Sequence, residues 1–154
     1  MVRTNSYTYF SICSNGKIGK YGLESTEKGA FDPDDITKRL NVDPFEKWKK
    51  GNQRSPAHPQ QWPYYFSCWN AEKSDVDIVD TGKQCLETIK NLNNKIPELL
   101  KIKSLYDVSF HILIVANICK EKIYLNFEKE IIDFCYHTGT TIDVDMYVFE
   151  ETNS

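Results

Sequence analysis

The stretch Thr141-Ile142-Asp143-Val144-Asp145-Met146-Tyr147-Val148-Phe149 decides the fold class, because apolar and polar side chains alternate along most of it. Successive side chains of a β-strand point to opposite faces of a sheet. The apolar set, which we expect to pack against helices, is Ile142, Val144, Met146 and Val148. The opposite set is Thr141, Asp143, Asp145, Tyr147 and Phe149. Such alternation is typical of a sheet with one face covered by helices and one open face.

Further strands are predicted upstream of this one. Residues 6–13 are rich in β-prone tyrosine, and residues 64–70 and 108–117 have the length and composition of strands. A short strand is predicted at 123–125. Asn15-Gly16 indicates a turn, and the polar stretch that follows it is expected to form a loop or hairpin.

Helical segments alternate with these strands. Asp32, followed by proline, is a suitable cap for a first helix. Residues 81–105 carry apolar side chains at helical spacing, and Pro97 is expected to kink this segment or divide it into two helices. A final helix is predicted between Asn126, which is expected to cap it, and Gly139, which is suited to its C-terminal end.

The resulting element order is β–α–β–α–β–(β)–α–β. At 154 residues the chain fits one domain, 1–154, since domains usually run to about 100–150 residues. This order predicts the α+β class, with a mixed or antiparallel sheet and helices packed on one face. The topology that we expect is a ferredoxin-like or split-βαβ relative.

Composition excludes several classes of protein. No apolar run approaches the ~20 residues that span a bilayer, and the first residues lack the apolar core of a signal peptide. We therefore expect no membrane partner and a cytoplasmic location. The cysteines are widely spaced without a C-x-x-C pair, which argues against a disulfide framework, a metal site or another cofactor. They are Cys13, Cys68, Cys85, Cys119 and Cys135.

Several short motifs resemble a bacterial family known as domain of unknown function 4279. They are YTYFSI at 7–12, FDPDDITKRL at 31–40, WKKGN at 48–52 and IDVDMY at 142–147. The resemblance spans nearly the whole chain and implies a compact bacterial α+β domain. It carries over no catalytic residues. Some families of this size and organisation are immunity proteins encoded beside toxin genes.

Three residues from other strands are expected to join the open face: Tyr7, Tyr9 and His111. The full candidate partner-binding set is therefore Asp143, Asp145, Tyr147, Phe149, Tyr7, Tyr9 and His111. Tyrosine supplies large contact area at low entropic cost, and carboxylates attract a basic partner. The alternative interpretation is an ordinary solvated sheet face.

These observations favour a non-enzymatic protein-binding module. The chain has no nucleophile elbow, phosphate-binding loop or glycine-rich dinucleotide motif. Residues 128–151 carry seven acidic side chains and one lysine, which indicates a basic partner. The most concrete interpretation is an immunity protein that neutralises a cognate bacterial toxin, such as a nuclease, by occluding its active site.

Two other functions stay open. Asp143 and Asp145, with His111 as base or ligand, would suit a small metal-dependent hydrolase. The basic patch from Lys47 to Arg54 would suit a nucleic-acid-associated module, although the net charge of −3 argues weakly against it. The sequence also leaves open whether the chain forms a homodimer through an edge strand.

Overall fold

The computed structural model describes residues 3–58, 60–76 and 80–150. The strands are β1 (Asn5–Ser14), β2 (Gly16–Gly19), β3 (Gly22–Ser25), β4 (Pro44–Trp48), β5 (Cys68–Ala71), β6 (Val108–Ile118) and β7 (Thr140–Val148). The helices are α1 (Pro33–Leu40), α2 (Thr81–Ile89), α3 (Ile96–Leu105) and α4 (Lys129–Thr138). A short 3-10 turn, Asn93–Lys95, precedes α3.

One mixed sheet contains five of these strands in the order β4-β5-β1-β6-β7. Neighbouring strands are antiparallel except β6 and β7, which are parallel and are connected through α4. Strands β2 and β3 form a separate hairpin with its turn at residues 20–21, which is one of the two alternatives expected for the polar stretch after Asn15-Gly16. The α+β class with a mixed sheet is thus confirmed, and the ferredoxin-like or split-βαβ relation stays a prediction.

The core lies between the helices and one face of this sheet. The indole N–H of Trp69 on β5 donates to the hydroxyl of Thr37 on α1 at 3.0 Å. Thr8 on β1 and Thr88 on α2 share a buried hydrogen bond of 2.6 Å. The bulkiest buried side chains are Phe10, Phe31, Trp69, Phe110 and Phe134. Within the described residues the opposite face of the sheet has no helix over it.

The helix predictions are largely confirmed. Asp32 caps α1 by accepting a 3.0 Å hydrogen bond from the Asp34 N–H. Residues 81–105 divide into α2 and α3, with Pro97 in the first turn of α3. Proline lacks a backbone N–H, but the N–H groups of the first turn form no hydrogen bonds within the helix, so none is lost. Gly139 ends α4 in the left-handed conformation, with φ of 65°. In the described ranges, no helix is long and apolar enough to cross a membrane.

The prediction of a strand at 64–70 is wrong in its first half. Strand β5 begins only at Cys68, because the preceding backbone bonds to other loops. The Tyr64 N–H donates to Asn52 O at 3.0 Å, and Tyr65 O accepts from the Ser25 N–H at 2.9 Å. Strand β4 was not predicted at all. Apolar and polar side chains do not alternate along its five residues, and the pairing is irregular between Pro44 and Glu46. Strand β4 is an edge strand, where proline is tolerated.

Two predictions in the segment before α4 are also wrong. The expected strand at 123–125 is reduced to one isolated bridge between Tyr124 and Asp80. The residue that precedes α4 is Glu128, which makes no capping hydrogen bond through its side chain. Asn126 instead donates from its amide to Glu128 Oε1 at 2.8 Å.

Strand β7 extends beyond the helix layer. Ile142 packs against the core, but Val144, Met146 and Val148 are 38%, 53% and 71% exposed. The predicted orientation of the apolar set is confirmed, because the register places it opposite the buried Ile112, Ile114 and Ala116 of β6, but only Ile142 is covered. A helix of ten residues such as α4 is about 15 Å long, whereas a nine-residue strand runs about 30 Å. Helix α4 thus covers only the first half of β7.

Candidate functional site

The uncovered face of the five-stranded sheet, called the open face below, is assembled by strand register. Residues directly opposite each other on neighbouring strands share one face. Three rows of mutually opposite residues cross β1, β6 and β7 in that order. The first row is Ser11, His111 and Thr141, and the second is Tyr9, Leu113 and Asp143. The third row is Tyr7, Val115 and Asp145. Asn117 lies opposite Tyr147 in the next row. The structure therefore brings six of the seven predicted residues together on this face.

His111 and Asp143 form the closest polar contact among the predicted residues. Nδ1 of His111 lies 3.0 Å from Oδ2 of Asp143 and 2.7 Å from Oγ1 of Thr141. A proton on Nδ1 would therefore point toward Asp143 and Thr141 of β7. The other ring nitrogen, Nε2, takes part in neither contact. The pair connects β6 to its neighbour, the edge strand β7, on the open face.

Tyr7 and Tyr9 belong to a larger aromatic group than the sequence predicted. Their ring centroids lie 6.3 Å apart, and Phe45 of β4 meets Tyr9 edge-on at 5.2 Å. The ammonium of Lys73 lies 4.6 Å from the Tyr7 centroid and 4.7 Å from that of Phe45, within the range of cation–π attraction. Partial burial raises the pKa of Tyr9 to about 12, so its hydroxyl stays protonated at neutral pH.

Phe45 and Lys73 are functional candidates that the sequence analysis missed. Phe45 lies on the short edge strand β4, whose residues do not alternate between apolar and polar, so no local pattern indicated its position. Lys73 lies in a loop after β5, and no local pattern indicates that it covers two aromatic rings. It also places a positive charge on a face that was expected to be acidic.

The remaining predicted residues lie along the edge of the sheet. The Asp143 side chain is 57% exposed, Asp145 is exposed, and Tyr147 and Phe149 are 51% and 49% exposed. Phe149 follows β7, and its N–H still donates to Ile118 O at 2.9 Å. Strand β7 is the last in the sheet order, so one side of its backbone is available to a further strand.

A compact polar cluster occupies the open face on the other side of β1. Asn70 Nδ2 donates to Glu46 Oε2 at 3.0 Å, and the Ser11 hydroxyl donates to Asn70 Oδ1 at 2.6 Å. The sulfur atoms of Cys13 and Cys68 lie 3.1 Å apart beside them. The cysteine spacing had argued against a disulfide framework, and it gave no indication that these two thiols are neighbours. Their pairing is not visible in the sequence because 55 residues separate them.

The basic patch from Lys47 to Arg54 is already engaged within the protein. The Lys47 ammonium contacts Asp34, and Lys49 Nζ lies 3.6 Å from Asp32 Oδ2, so the acidic start of α1 neutralises both charges. Trp48 stacks on Tyr64, with ring centroids 4.8 Å apart. The patch is thus partly neutralised within the protein, and its two paired lysines remain 46% and 48% exposed.

The geometry around His111 does not complete a catalytic site of a familiar kind. Ser11 lies opposite His111, but its hydroxyl donates to Asn70, and the serine is 2% exposed. Within the part of the chain that the structure describes, no three His, Cys, Asp or Glu side chains are placed to hold a metal ion. The Asp143–His111 pair resembles the carboxylate and histidine that activate a nucleophile in some enzymes. Among the described residues, no nucleophile completes the site.

Two concavities lie outside the predicted set. A groove of about 680 Å³ is lined mainly by polar residues, including Asp43, Glu72 and Lys95, where α1 and α2 end. A shallower one of about 300 Å³ is formed by Tyr21, Trp62, Tyr65, Arg54 and Gln61.

The fold and the open face define a class of protein: a two-layer α+β domain whose sheet has helices on one side and an acidic and aromatic face on the other. The family model for domain of unknown function 4279 (DUF4279) matches residues 4–149, and the chain belongs to that family. This confirms the family expected from the sequence motifs. No curated protein and no solved structure matches the chain.

Proposed function

We propose that the chain is a non-enzymatic protein-binding module whose open face docks a basic partner protein. The observation that carries this proposal is the juxtaposition of Asp143 and Asp145 with the aromatic group of Tyr7, Tyr9 and Phe45. Strands β1 and β7 both flank β6, so the two groups lie about 10 Å apart across the sheet. Exposed carboxylates beside partly buried aromatic rings are the composition of a protein interface with a charged rim.

In its most specific form, this proposal makes the protein an immunity protein in the bacterial cytoplasm. The open face would cover the basic active site of a cognate toxin, such as a nuclease, and exclude its substrate. The carboxylates would accelerate association with the basic toxin. The aromatic rings would be buried at the centre of the contact and would determine the rate of dissociation.

The edge of β7 extends this surface. An extended segment of a partner that pairs with β7 would gain backbone hydrogen bonds and side-chain contacts on both faces. Its alternate residues would meet Asp143 and Asp145 on one face and Met146 and Val148 on the other. A segment that alternates basic and apolar residues matches this pattern.

Charge distribution makes a second copy of the chain a poor partner for this edge. Antiparallel self-pairing centred on Val144 would place Asp143 opposite Asp145 of the other copy. Centring on Asp143 or Asp145 would place that residue opposite itself. Like charges directly opposite each other destabilise a strand pair, which disfavours these three registers of self-pairing, and we propose a different protein as the partner.

The test is affinity capture from the bacterial source with the tagged full chain as bait. Three baits are compared: the wild type, the double variant Asp143→Lys with Asp145→Lys, and a control with Glu27→Lys and Glu130→Lys. The control changes net charge equally through two exposed residues outside the open face. A basic protein retained by the wild type and control but lost by the double variant would support the proposal.

Capture that is equal for all three folded baits would contradict the assignment of the open face. The immunity role of the chain requires one further result: the captured toxin must lose its activity when the wild-type chain is added. If the captured protein keeps its full activity in the complex, the chain would still be a binding module, but the immunity role would be excluded.

The contact of His111 with Asp143 is the observation that favours an enzyme as the second candidate. A small metal-dependent hydrolase would also need Asp145, and any bound cation would stabilise the folded state by mass action. The melting temperature is therefore measured with Mg²⁺, Mn²⁺, Ca²⁺ and Zn²⁺. A rise that disappears in Asp143→Asn would favour the hydrolase, and constant values would exclude it.

A further inference from the structure

Cys13 and Cys68 are direct neighbours across two antiparallel strands. Cys13 of β1 pairs with Cys68 of β5 in the strand register. Their sulfur atoms lie 3.1 Å apart. A disulfide requires a separation of about 2.05 Å, so a relative movement of about 1 Å by two side chains would bring the sulfurs to bonding distance.

The backbone places this pair at the favourable kind of register position. The Ser14 N–H donates to Ser67 O at 3.0 Å, so these two residues occupy a hydrogen-bonded position. Hydrogen-bonded and non-hydrogen-bonded positions alternate along antiparallel strands. The adjacent pair, Cys13 and Cys68, is therefore non-hydrogen-bonded, with Cα atoms about 4.5 Å apart, within the span that a disulfide bridges.

The surroundings give the two thiols different roles. The contact with the Cys68 thiol lowers the pKa of Cys13. The contact with Cys13 raises the pKa of Cys68, and burial raises it further. Cys13 is also the more accessible of the two, since Cys68 is only 2% exposed. The greater accessibility of Cys13 favours it as the attacking thiol, with Cys68 as the resolving thiol.

We propose that Cys13 and Cys68 form a thiol–disulfide exchange site that a small disulfide, of the class of oxidised glutathione, converts to an intrachain disulfide. The Cys13 thiolate attacks one sulfur of the small disulfide, which forms a mixed disulfide and releases one thiolate. Cys68 then loses its proton and attacks the sulfur of Cys13, which expels the second thiolate. Both protein thiols are oxidised, the small disulfide is reduced to two thiols, and the two protein protons are transferred to them.

The other cysteines provide an internal comparison. Burial raises the pKa of Cys85 to about 12 and also raises the pKa of Cys135. Thiols of raised pKa are poor nucleophiles at neutral pH. Cys135 is partly exposed like Cys13, so it controls for accessibility.

The test uses the reduced full chain incubated with oxidised glutathione under native conditions. The reaction is quenched with acid, free thiols are blocked with N-ethylmaleimide, and linked peptides are mapped by mass spectrometry. We expect a Cys13–Cys68 linked peptide as the main oxidised species, formed at least about tenfold faster than glutathione adds to Cys135. Blocked, unoxidised Cys13 and Cys68 beside a modified Cys135 would overturn the proposal.

Two variants test the order of attack. In Cys68→Ser, the resolving thiol is absent, so a glutathione adduct should accumulate on Cys13. In the matched control Cys135→Ser, the Cys13–Cys68 link should form at the wild-type rate. An adduct that persists on Cys13 in the wild type would overturn the assignment of Cys68 as the resolving thiol. The wild-type mapping decides the proposal even if a variant fails to fold.

Discussion

His111 and Asp143, 32 residues apart in the sequence, meet across the parallel pair β6 and β7, with Nδ1 of His111 3.0 Å from Oδ2 of Asp143. This contact makes the two carboxylates of the open face unequal. Asp143 is held against the neighbouring strand β6, whereas Asp145 lies one row further along, opposite Val115. Replacing Asp143 therefore removes a contact within the protein. For Asp145, the role that we expect is the attraction of a basic partner.

Single charge reversals should separate these two roles. Asp145→Lys is expected to change the free energy of unfolding by less than about 0.5 kcal/mol, as is usual for an exposed site. Asp143→Lys places a cation beside His111 and is expected to cost up to about 1 kcal/mol. Both variants should slow association with a basic partner by about tenfold at low salt, and less at high salt. Urea unfolding measures the change in stability, and stopped-flow mixing measures the association rate. Association rates that are unchanged in both variants would contradict the role of these carboxylates in attracting the partner.

The overhang of β7 predicts a sharp change in mutational sensitivity along one strand. Ile142→Ala should lower the free energy of unfolding by about 2 kcal/mol, because Ile142 packs on the core. Val148→Ala should change it by less than about 0.5 kcal/mol, because Val148 is 71% exposed. Chemical denaturation of the two variants provides the comparison. Equal losses would mean that something covers the end of β7.

Asp35 should make stability depend on pH. Hydrogen bonds from the Tyr106 hydroxyl at 2.6 Å and from Arg39 Nε at 2.7 Å lower the pKa of Asp35. A carboxyl with a depressed folded-state pKa stabilises the fold above its unfolded pKa of about 3.9. That contribution is lost as the pH falls through the folded-state value. Asp35→Asn should therefore cost about 1 kcal/mol near neutral pH, a figure that allows for partial solvent screening.

The same variant provides its own control at low pH. The difference between wild type and Asp35→Asn should shrink as the pH falls through the lowered folded-state pKa of Asp35, because both side chains are neutral below it. Tyr106→Phe removes one donor to Asp35 and should show the same trend with a smaller loss. Urea midpoints measured from neutral to acidic pH test this, and a pH-independent difference would assign the loss to packing.

The thiol pair predicts a difference in stability between oxidised and reduced protein. A link between Cys13 and Cys68 would close a loop spanning 55 positions and restrict the unfolded chain, which typically contributes about 2–4 kcal/mol. The oxidised protein should therefore unfold at higher urea concentration than the reduced protein. Cys13→Ser should show no such difference under the same two conditions, and an oxidised form less stable than the reduced form would indicate that the link strains the sheet.

The sequence by itself determined the features that local chemistry controls. The cap at Asp32, the division of residues 81–105 at Pro97 and the left-handed end at Gly139 each depend on a few neighbouring residues, and all three are confirmed. The alternation in 141–149 likewise sorted Asp143 and Asp145 onto the face away from the helices, because the period of a strand is a property of the backbone.

Only the tertiary structure decided which distant segments meet and where each layer ends. The pairing of β5 with β1 brings Cys68 to Cys13, and the edge strand β4 brings Phe45 to Tyr9. Neither contact has a local signature, since it depends on strand order across the sheet. The exposure of Met146 was also unpredictable, because it results from the difference in length between a short helix and the longer strand beneath it. Local backbone preferences are encoded residue by residue, whereas such contacts follow from the packing of whole elements.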